Sequence, residues 1–161
     1  MPTSKVLIAW HSRTGTAQAL AEAAARGAGS HAQLMPASEV EPHHFLDAGG
    51  YLFACPENLA TMSGAMKEMF DRCYYPVLGK IEGRPFATII AAGSDGEGAQ
   101  RQIDRIAQGW RLKRVADPWI IITDAQTPEA IAAQKTVNGR DLKAAMELGQ
   151  AMSEGLGAGI F

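Results

Sequence analysis

Short apolar runs alternate with stretches of helical periodicity along the whole chain. The apolar runs predict five strands, at residues 6–10, 33–35, 51–55, 86–92 and 119–123. Between and after them, apolar positions recur every three or four residues, which predicts about five helices. The second strand is the weakest, since it rests mainly on the alternation itself. Strict alternation of this kind is typical of an α/β domain whose parallel sheet is covered by helices on both faces.

Glycine, proline and threonine mark the expected ends of these elements. The first helix begins at Thr16, and Gly27 and Gly29 should stop it. Pro56 should close the third strand. The helix that carries Met62, Met66, Met69, Phe70 and Cys73 should end before Pro76. Threonine as cap and proline in the first turn predict a further helix start at 127–128, and a last helix carries apolar residues from 142 to 156.

Length and charge exclude several classes of protein. The chain has 161 residues, 15 Lys+Arg and 17 Asp+Glu, which fits a single domain over 1–161 with a net charge of -2. We therefore expect no nucleic-acid partner. No apolar run is long enough for a membrane span. Two cysteines form neither a disulfide framework nor a zinc pattern, and we expect a cytoplasmic protein without a metal site.

Three unusual loops follow the first, third and fourth strands. In doubly wound parallel sheets, ligands bind beyond the carboxyl ends of the strands, at the point where the strand order reverses. The loops at residues 11–16, 56–64 and 93–100 should therefore meet at one edge of the sheet. Three unusual loops at one edge are less expected by chance than a single unusual loop. Together they predict one ligand site.

The first loop has the composition of an anion site. Hydroxyls and a glycine lead directly into a helix, whose N–H groups and dipole favour a negative group. A helix start capped by serine or threonine would explain the same residues. Because no Walker motif or dinucleotide glycine motif occurs there, the loop fits a terminal phosphomonoester better than a nucleoside triphosphate or a dinucleotide.

The second and third loops have their own ordinary explanations. Residues 56–64 are mostly small or polar and form a longer connection than a helix start requires, although an ordinary loop is an alternative. The third loop has glycines at 93, 96 and 98, which let backbone approach a flat ligand closely. A flexible turn would account for these glycines equally well.

Taken together, the three loops resemble those of the flavodoxin-like family. Residues 12–16 are similar to the loop that wraps the FMN phosphate, and 56–72 and 93–100 are similar to the ring loops of NAD(P)H-dependent FMN or quinone reductases. The resemblance implies a five-stranded sheet of order 2-1-3-4-5 and FMN as cofactor. It implies that the phosphate is held by Ser12, Thr14, Gly15 and Thr16, with Arg13 at the tip of this cofactor-binding loop. It implies that the ring is held by Pro56, Glu57, Asn58, Ala60, Thr61, Met62, Gly93, Ser94, Gly96 and Gly98.

Two departures from the family pattern affect these expectations. Ala17 stands where the family often has threonine, which removes one hydroxyl and should weaken phosphate binding without abolishing it. The ring loops offer Asn58-Leu59 where flavodoxins usually place aromatic residues. An uncovered ring face would leave room for a nicotinamide, a quinone or a neighbouring subunit, so a homodimer or homotetramer is compatible with the sequence.

The resemblance implies redox chemistry in which the protein binds and tunes a flavin. Electrons would pass from NAD(P)H through FMN to a quinone or similar small acceptor, and no nucleophile–base pair suggests a catalytic residue. A flavodoxin-type carrier that docks a redox partner protein is one alternative, and a non-enzymatic protein that acts through protein contacts is another. The net charge of -2 favours the reductase, since electron carriers of this type are strongly acidic.

Cys55 and a group of basic residues have two interpretations each. Cys55 is either a redox thiol beside the ring or a small buried residue at a strand end, and burial is the more common case. The basic residues form either a solvated helix face or a contact for a nicotinamide phosphate or a subunit: Arg101, Arg105, Arg111, Lys113 and Arg114.

Overall fold

The computed structural model describes residues 3–161, so the first two residues of the expected domain lie outside it. The strands are β1 (Val6–Trp10), β2 (Ala32–Pro36), β3 (Gly50–Asn58), β4 (Thr61–Met62), β5 (Pro85–Ala92), β6 (Lys113–Arg114) and β7 (Trp119–Ile122). The helices are α1 (Thr16–Ala28), α2 (Pro42–Asp47), α3 (Gly64–Val77), α4 (Glu97–Gly109), α5 (Pro128–Ala132) and α6 (Gly139–Gly157). No helix in residues 3–161 is long and apolar enough to cross a membrane.

The main sheet is parallel and has the expected strand order. β1 lies between β2 and β3, and β5 lies on the far side of β3. The position beyond β5 is shared, because β6 pairs with the first residues of β5 and β7 with the last. The order β2-β1-β3-β5-β6/β7 therefore confirms the predicted arrangement 2-1-3-4-5. Only β7 was predicted, since the two residues of β6 are basic and carry no apolar pattern.

Alternate residues of each strand pack on opposite faces of the sheet. From β1, Leu7 and Ala9 face the core under α2, α3 and α4, whereas Val6 and Ile8 face the core under α1 and α6. All four are fully buried. Two cores, one on each side, explain why these strands are apolar without interruption.

Three helix and strand ends differ from the sequence prediction. α1 continues through Gly27 and ends at Ala28, where Gly29 takes a left-handed backbone with φ +64°. β3 continues through Pro56, which still pairs with Ala91 of β5. On the other side of β3, β1 has already ended at the pair Trp10↔Ala54, so a proline here costs no bond to β1. α3 contains Pro76 in its last turn, so only Val77 follows the proline within the helix and few backbone hydrogen bonds are affected. Met62 lies before this helix, in β4.

The helices α1 and α6 pack unusually closely. A Cβ on Gly149 would overlap the backbone carbonyl group of Ala24, and one on Gly27 would overlap that of Met146. Because backbone meets backbone at both points, no side chain can rotate away to make room. The close packing of these two helices therefore depends on the two glycines.

Candidate functional site

A cavity of about 860 Å³ lies at the carboxyl edge of the sheet. This volume is within the roughly 300–1,000 Å³ typical of small-molecule and cofactor sites. Four segments of chain line it, and they follow β1, β3, β5 and β7. The lining residues are Ser12, Arg13, Thr14, Thr16, Ala17, Pro56, Glu57, Asn58, Leu59, Ala60, Ala91, Ala92, Gly93, Ser94, Thr123, Ala125, Gln126, Ile131, Ala132 and Lys135.

Most of the residues expected at a ligand site meet at this cavity. The three loops do converge there, and ten of the expected residues line the cavity: Ser12, Arg13, Thr14, Thr16, Pro56, Glu57, Asn58, Ala60, Gly93 and Ser94. The other five are not among the lining residues: Gly15, Thr61, Met62, Gly96 and Gly98.

The supporting glycines are required by geometry. Gly15 and Gly96 immediately precede α1 and α4, with φ of +105° and +87°, a region that residues with a side chain rarely adopt. Gly98 lies in the first turn of α4, where a Cβ would overlap the carbonyl oxygen of Ala60. The expected glycines therefore serve the backbone of the site, and Gly93 alone among them lines the cavity.

The start of α1 leaves hydrogen-bond donors free. No side chain caps this helix, so a capped helix start does not explain the loop. The hydroxyl of Ser12 accepts a bond from the N–H of Gly15 at 3.0 Å. Thr16 is buried, lines the cavity, and its hydroxyl has no hydrogen-bond partner. Because an unpaired buried hydroxyl is costly in a folded protein, this one points to a ligand.

The second loop is a tight hairpin. β3 and β4 pair antiparallel at Glu57↔Met62 and Asn58↔Thr61, so Leu59 and Ala60 alone form the turn. Both have positive φ, +53° and +63°, as in the turns that favour Asn-Gly in two-residue hairpins. The sequence predicted an irregular loop because Leu-Ala carries no turn signal. Strained backbone thus lies directly at the cavity wall.

Glycine at position 60 should relieve this strain. We expect Ala60→Gly to raise the free energy of unfolding by about 1 kcal/mol, because glycine takes the left-handed region without a steric cost. Urea unfolding of the two proteins measures the difference. Gly64→Ala is a matched control, since a Cβ at Gly64 would meet no atom within 4 Å. A loss of stability in Ala60→Gly would show that the turn is held in this conformation without strain.

Glu57 joins the hairpin to the third loop. Its two carboxylate oxygens accept bonds from the N–H groups of Gly96, at 2.9 Å, and Ala99, at 3.2 Å. The side-chain oxygen of Gln102 in α4 accepts a further bond from the N–H of Met62 at 2.8 Å. The carboxylate thus caps α4 from a different loop.

The fourth segment, residues 123–135, was not predicted as part of the site. It begins where the N–H of Thr123 donates to the carbonyl of Ala92 at 2.8 Å. The expected helix start is present, since the hydroxyl of Thr127 accepts a bond from the N–H of Ala130 and caps α5. This helix has only five residues, too few for a periodic pattern to show how it would lie across the sheet edge.

Cys55 is buried, and two of the basic residues have partners within the fold. Burial raises the pKa of the Cys55 thiol to about 12, so the reactive thiolate is scarce near pH 7. Arg114 lies over the ring of Phe86 and pairs with Asp104 at 2.5 Å. Arg111 forms a weaker pair with Glu82 at 3.8 Å. Two members of the basic group thus have acidic partners within the fold.

The residues present fit a flat ring that carries a phosphate. Small residues of β5 and the third loop, Ala91, Ala92 and Gly93, line the cavity beside the hairpin. The same cavity holds the free donors of α1 and the unpaired hydroxyl of Thr16. An anion held there would satisfy both the helix dipole and the hydroxyl.

Solved structures of low sequence identity show the class of fold. The structure of an archaeal flavodoxin has a TM-score of 0.78 at 18% identity, over 95% of this chain and 99% of that one. A WrbA-like flavodoxin from Agrobacterium tumefaciens has a TM-score of 0.76 at 17% identity, over 97% and 99%. An NADPH-quinone reductase from P. pentosaceus has 0.66 at 14%, over 90% and 97%. The fold is flavodoxin-like.

Sequence comparison gives the family. The family model for NADPH-dependent FMN reductase matches residues 43–126, and the chain belongs to this family. A flavodoxin from Aquifex aeolicus (strain VF5) is 31% identical over 98 residues, which are 58% of this chain and 53% of that protein. The chain thus aligns with about half the length of this curated relative.

Proposed function

We propose that the protein binds FMN in the cavity and passes electrons from NAD(P)H through it to a quinone or a similar small acceptor. The observation that carries the proposal is the unpaired, buried hydroxyl of Thr16 at the free N-terminus of α1, inside a cavity walled by small residues. The family to which the chain belongs supports the same cofactor and suggests NADPH as the donor. Two free, buried cysteines are in keeping with a reducing cytoplasm.

Each part of the site has a role in binding. Ser12, Thr14 and Thr16 would donate to phosphate oxygens, together with the N–H groups that begin α1. The small residues at Ala91–Gly93 and the hairpin at Asn58–Ala60 would contact the ring. When bound, FMN supplies hydride and electron transfer, for which the protein needs to provide only orientation and electrostatic tuning.

The cavity wall leaves the ring accessible. Its lining residues in the described chain include no phenylalanine, tyrosine or tryptophan. Two apolar lining residues are exposed: Leu59, at the hairpin tip, is 97% exposed, and Ile131 of α5 is 56% exposed. A planar donor or acceptor could therefore reach the ring between them, which favours an enzyme with small substrates.

The alternative is a flavodoxin-type carrier that has no turnover of its own. The flavodoxin relative, at 31% identity over 98 residues, favours this reading. The net charge of -2 favours the reductase, because an electron carrier that docks basic partners relies on a strong acidic field.

Turnover separates the two functions. We expect the protein with saturating FMN to oxidise NADPH or NADH when a soluble quinone is present, at a rate proportional to protein concentration. FMN and quinone without protein are the control. FMN binding without any NAD(P)H oxidation would favour the carrier. A protein that binds no FMN at all would contradict both functions and favour action through protein contacts alone.

A further inference from the structure

A segment distant in sequence lies against the first loop of the site. The N–H of Lys135 donates to the carbonyl of Thr14 at 2.7 Å. The side chain of Gln134, from the same segment, occupies the space that a Cβ on Gly15 would take. The side chain of Lys135 lines the cavity together with Ser12, Thr14 and Thr16. The segment between α5 and α6 therefore places a cation beside the anion-binding loop.

The ammonium group of Lys135 is held by neutral groups. Its nitrogen Nζ donates to the carbonyls of Ala133, at 2.6 Å, and Ile131, at 3.1 Å, near the end of α5. Its third contact, with the hydroxyl of Thr14, is 3.4 Å long, which exceeds the usual 2.7–3.2 Å. A lysine has three N–H donors, so one of them is nearly unused and is directed at the loop.

The charge of Lys135 is not neutralised within the described chain. The ion pairs in residues 3–161 involve other cations: Lys67, Arg72, Arg111, Arg114, Arg140 and Lys143. His11 precedes the loop, and its pKa is lowered by burial and by the charge of Arg13. The imidazole is therefore mainly neutral near pH 7 and does not replace the lysine charge.

We propose that Lys135 is a phosphate ligand and, together with Arg13 of the first loop, which also lines the cavity, supplies positive charge that binds the phosphomonoester of FMN. Its free donor, the unpaired hydroxyl of Thr16 and the first N–H groups of α1 converge on one anion. The lysine also compensates for Ala17, which lines the cavity and brings no hydroxyl. Charge-assisted bonds to phosphate are about twice as strong as neutral ones, so this residue discriminates FMN from riboflavin. The inference rests on the proposed FMN site.

Flavin fluorescence titrations test the role of Lys135. For Lys135→Met we expect FMN affinity to fall about 10- to 100-fold, as for loss of a charged hydrogen bond, and riboflavin affinity to change less than about twofold. Lys135→Arg keeps the charge and should recover most of the lost affinity. Lys143→Met is the matched control, because Lys143 is exposed on α6 and outside the cavity wall.

Salt gives a second readout. Raising NaCl from about 50 mM to about 500 mM should weaken FMN binding to the parent protein more than to Lys135→Met, since screening acts on the charge that the variant lacks. Melting temperatures of the variants show whether each one is folded.

The outcomes are distinct. An equal loss for FMN and riboflavin, unchanged FMN affinity, or the same loss in Lys143→Met would overturn the role of Lys135 while leaving the FMN site intact. If the parent protein bound neither flavin, the proposed function itself would be contradicted, and the role of Lys135 with it.

Discussion

Replacing Gly149 with alanine is expected to lower the free energy of unfolding by about 3 kcal/mol or more, the upper part of the range for overpacked cores. The new Cβ would overlap the backbone carbonyl group of Ala24 across the helix pair, with the carbonyl carbon only 2.7 Å away. α1 cannot retreat, because Leu20 and Ala21 on the same helix are fully buried against the sheet. α6 must therefore shift outward, and part of the core beneath it loses contact.

Gly157→Ala is the matched control for this change. Gly157 is the last residue of the same helix, and a Cβ there would meet nothing within 4 Å. We expect the control to be neutral or to gain up to about 1 kcal/mol from helix propensity. Urea unfolding of both variants gives the comparison. Equal stabilities would mean that α1 and α6 are not in close contact in solution.

Replacing Thr16 with valine is expected to separate stability from ligand binding. Valine keeps the shape of threonine and removes the hydroxyl, which is buried and has no partner. The protein without ligand should be unchanged or more stable by about 1 kcal/mol, because an unpaired buried hydroxyl costs roughly that much. FMN affinity should nevertheless fall about 10-fold or more, since the phosphate loses a donor.

Riboflavin is the matched ligand for this variant, because it has the same ring and no phosphate. The affinity of the variant for riboflavin should change less than about twofold, because riboflavin has no phosphate that could contact the removed hydroxyl. Calorimetric titration and thermal unfolding of the same preparations give both quantities. A variant that loses stability, or that loses FMN and riboflavin equally, would show that the hydroxyl supports the fold and does not contact a phosphate.

The sequence predicted the parts of the fold that depend on burial. β1 begins and ends at the predicted residues, and the weak second strand is present as Ala32–Pro36. A fully buried parallel strand has to be apolar, so the pattern is clear. The ends at Pro56 and Pro76 were placed too early, because the effect of a proline depends on neighbours that the local sequence does not contain.

The candidate site was also predicted in part, because the order of the strands decides which loops meet. Loops that leave β1, β3 and β5 must meet at the carboxyl edge, and their residues line the cavity. The hairpin at Leu59–Ala60 gave no signal, because its positive φ values follow from the pairing of Asn58 with Thr61 and from the close approach of Gly98 to the carbonyl of Ala60. Lys135 could not be predicted, since its position against Thr14 depends on how a short helix crosses the sheet edge.

Calorimetric titration of the flavin-free protein with FMN tests the central claim most directly. We expect saturable binding of one FMN per chain, clearly tighter than the binding of riboflavin to the same protein, because the phosphate engages the start of α1. Absence of heat and of any spectral change with FMN, or equal affinity for FMN and riboflavin, would contradict the assignment of this cavity as an FMN site.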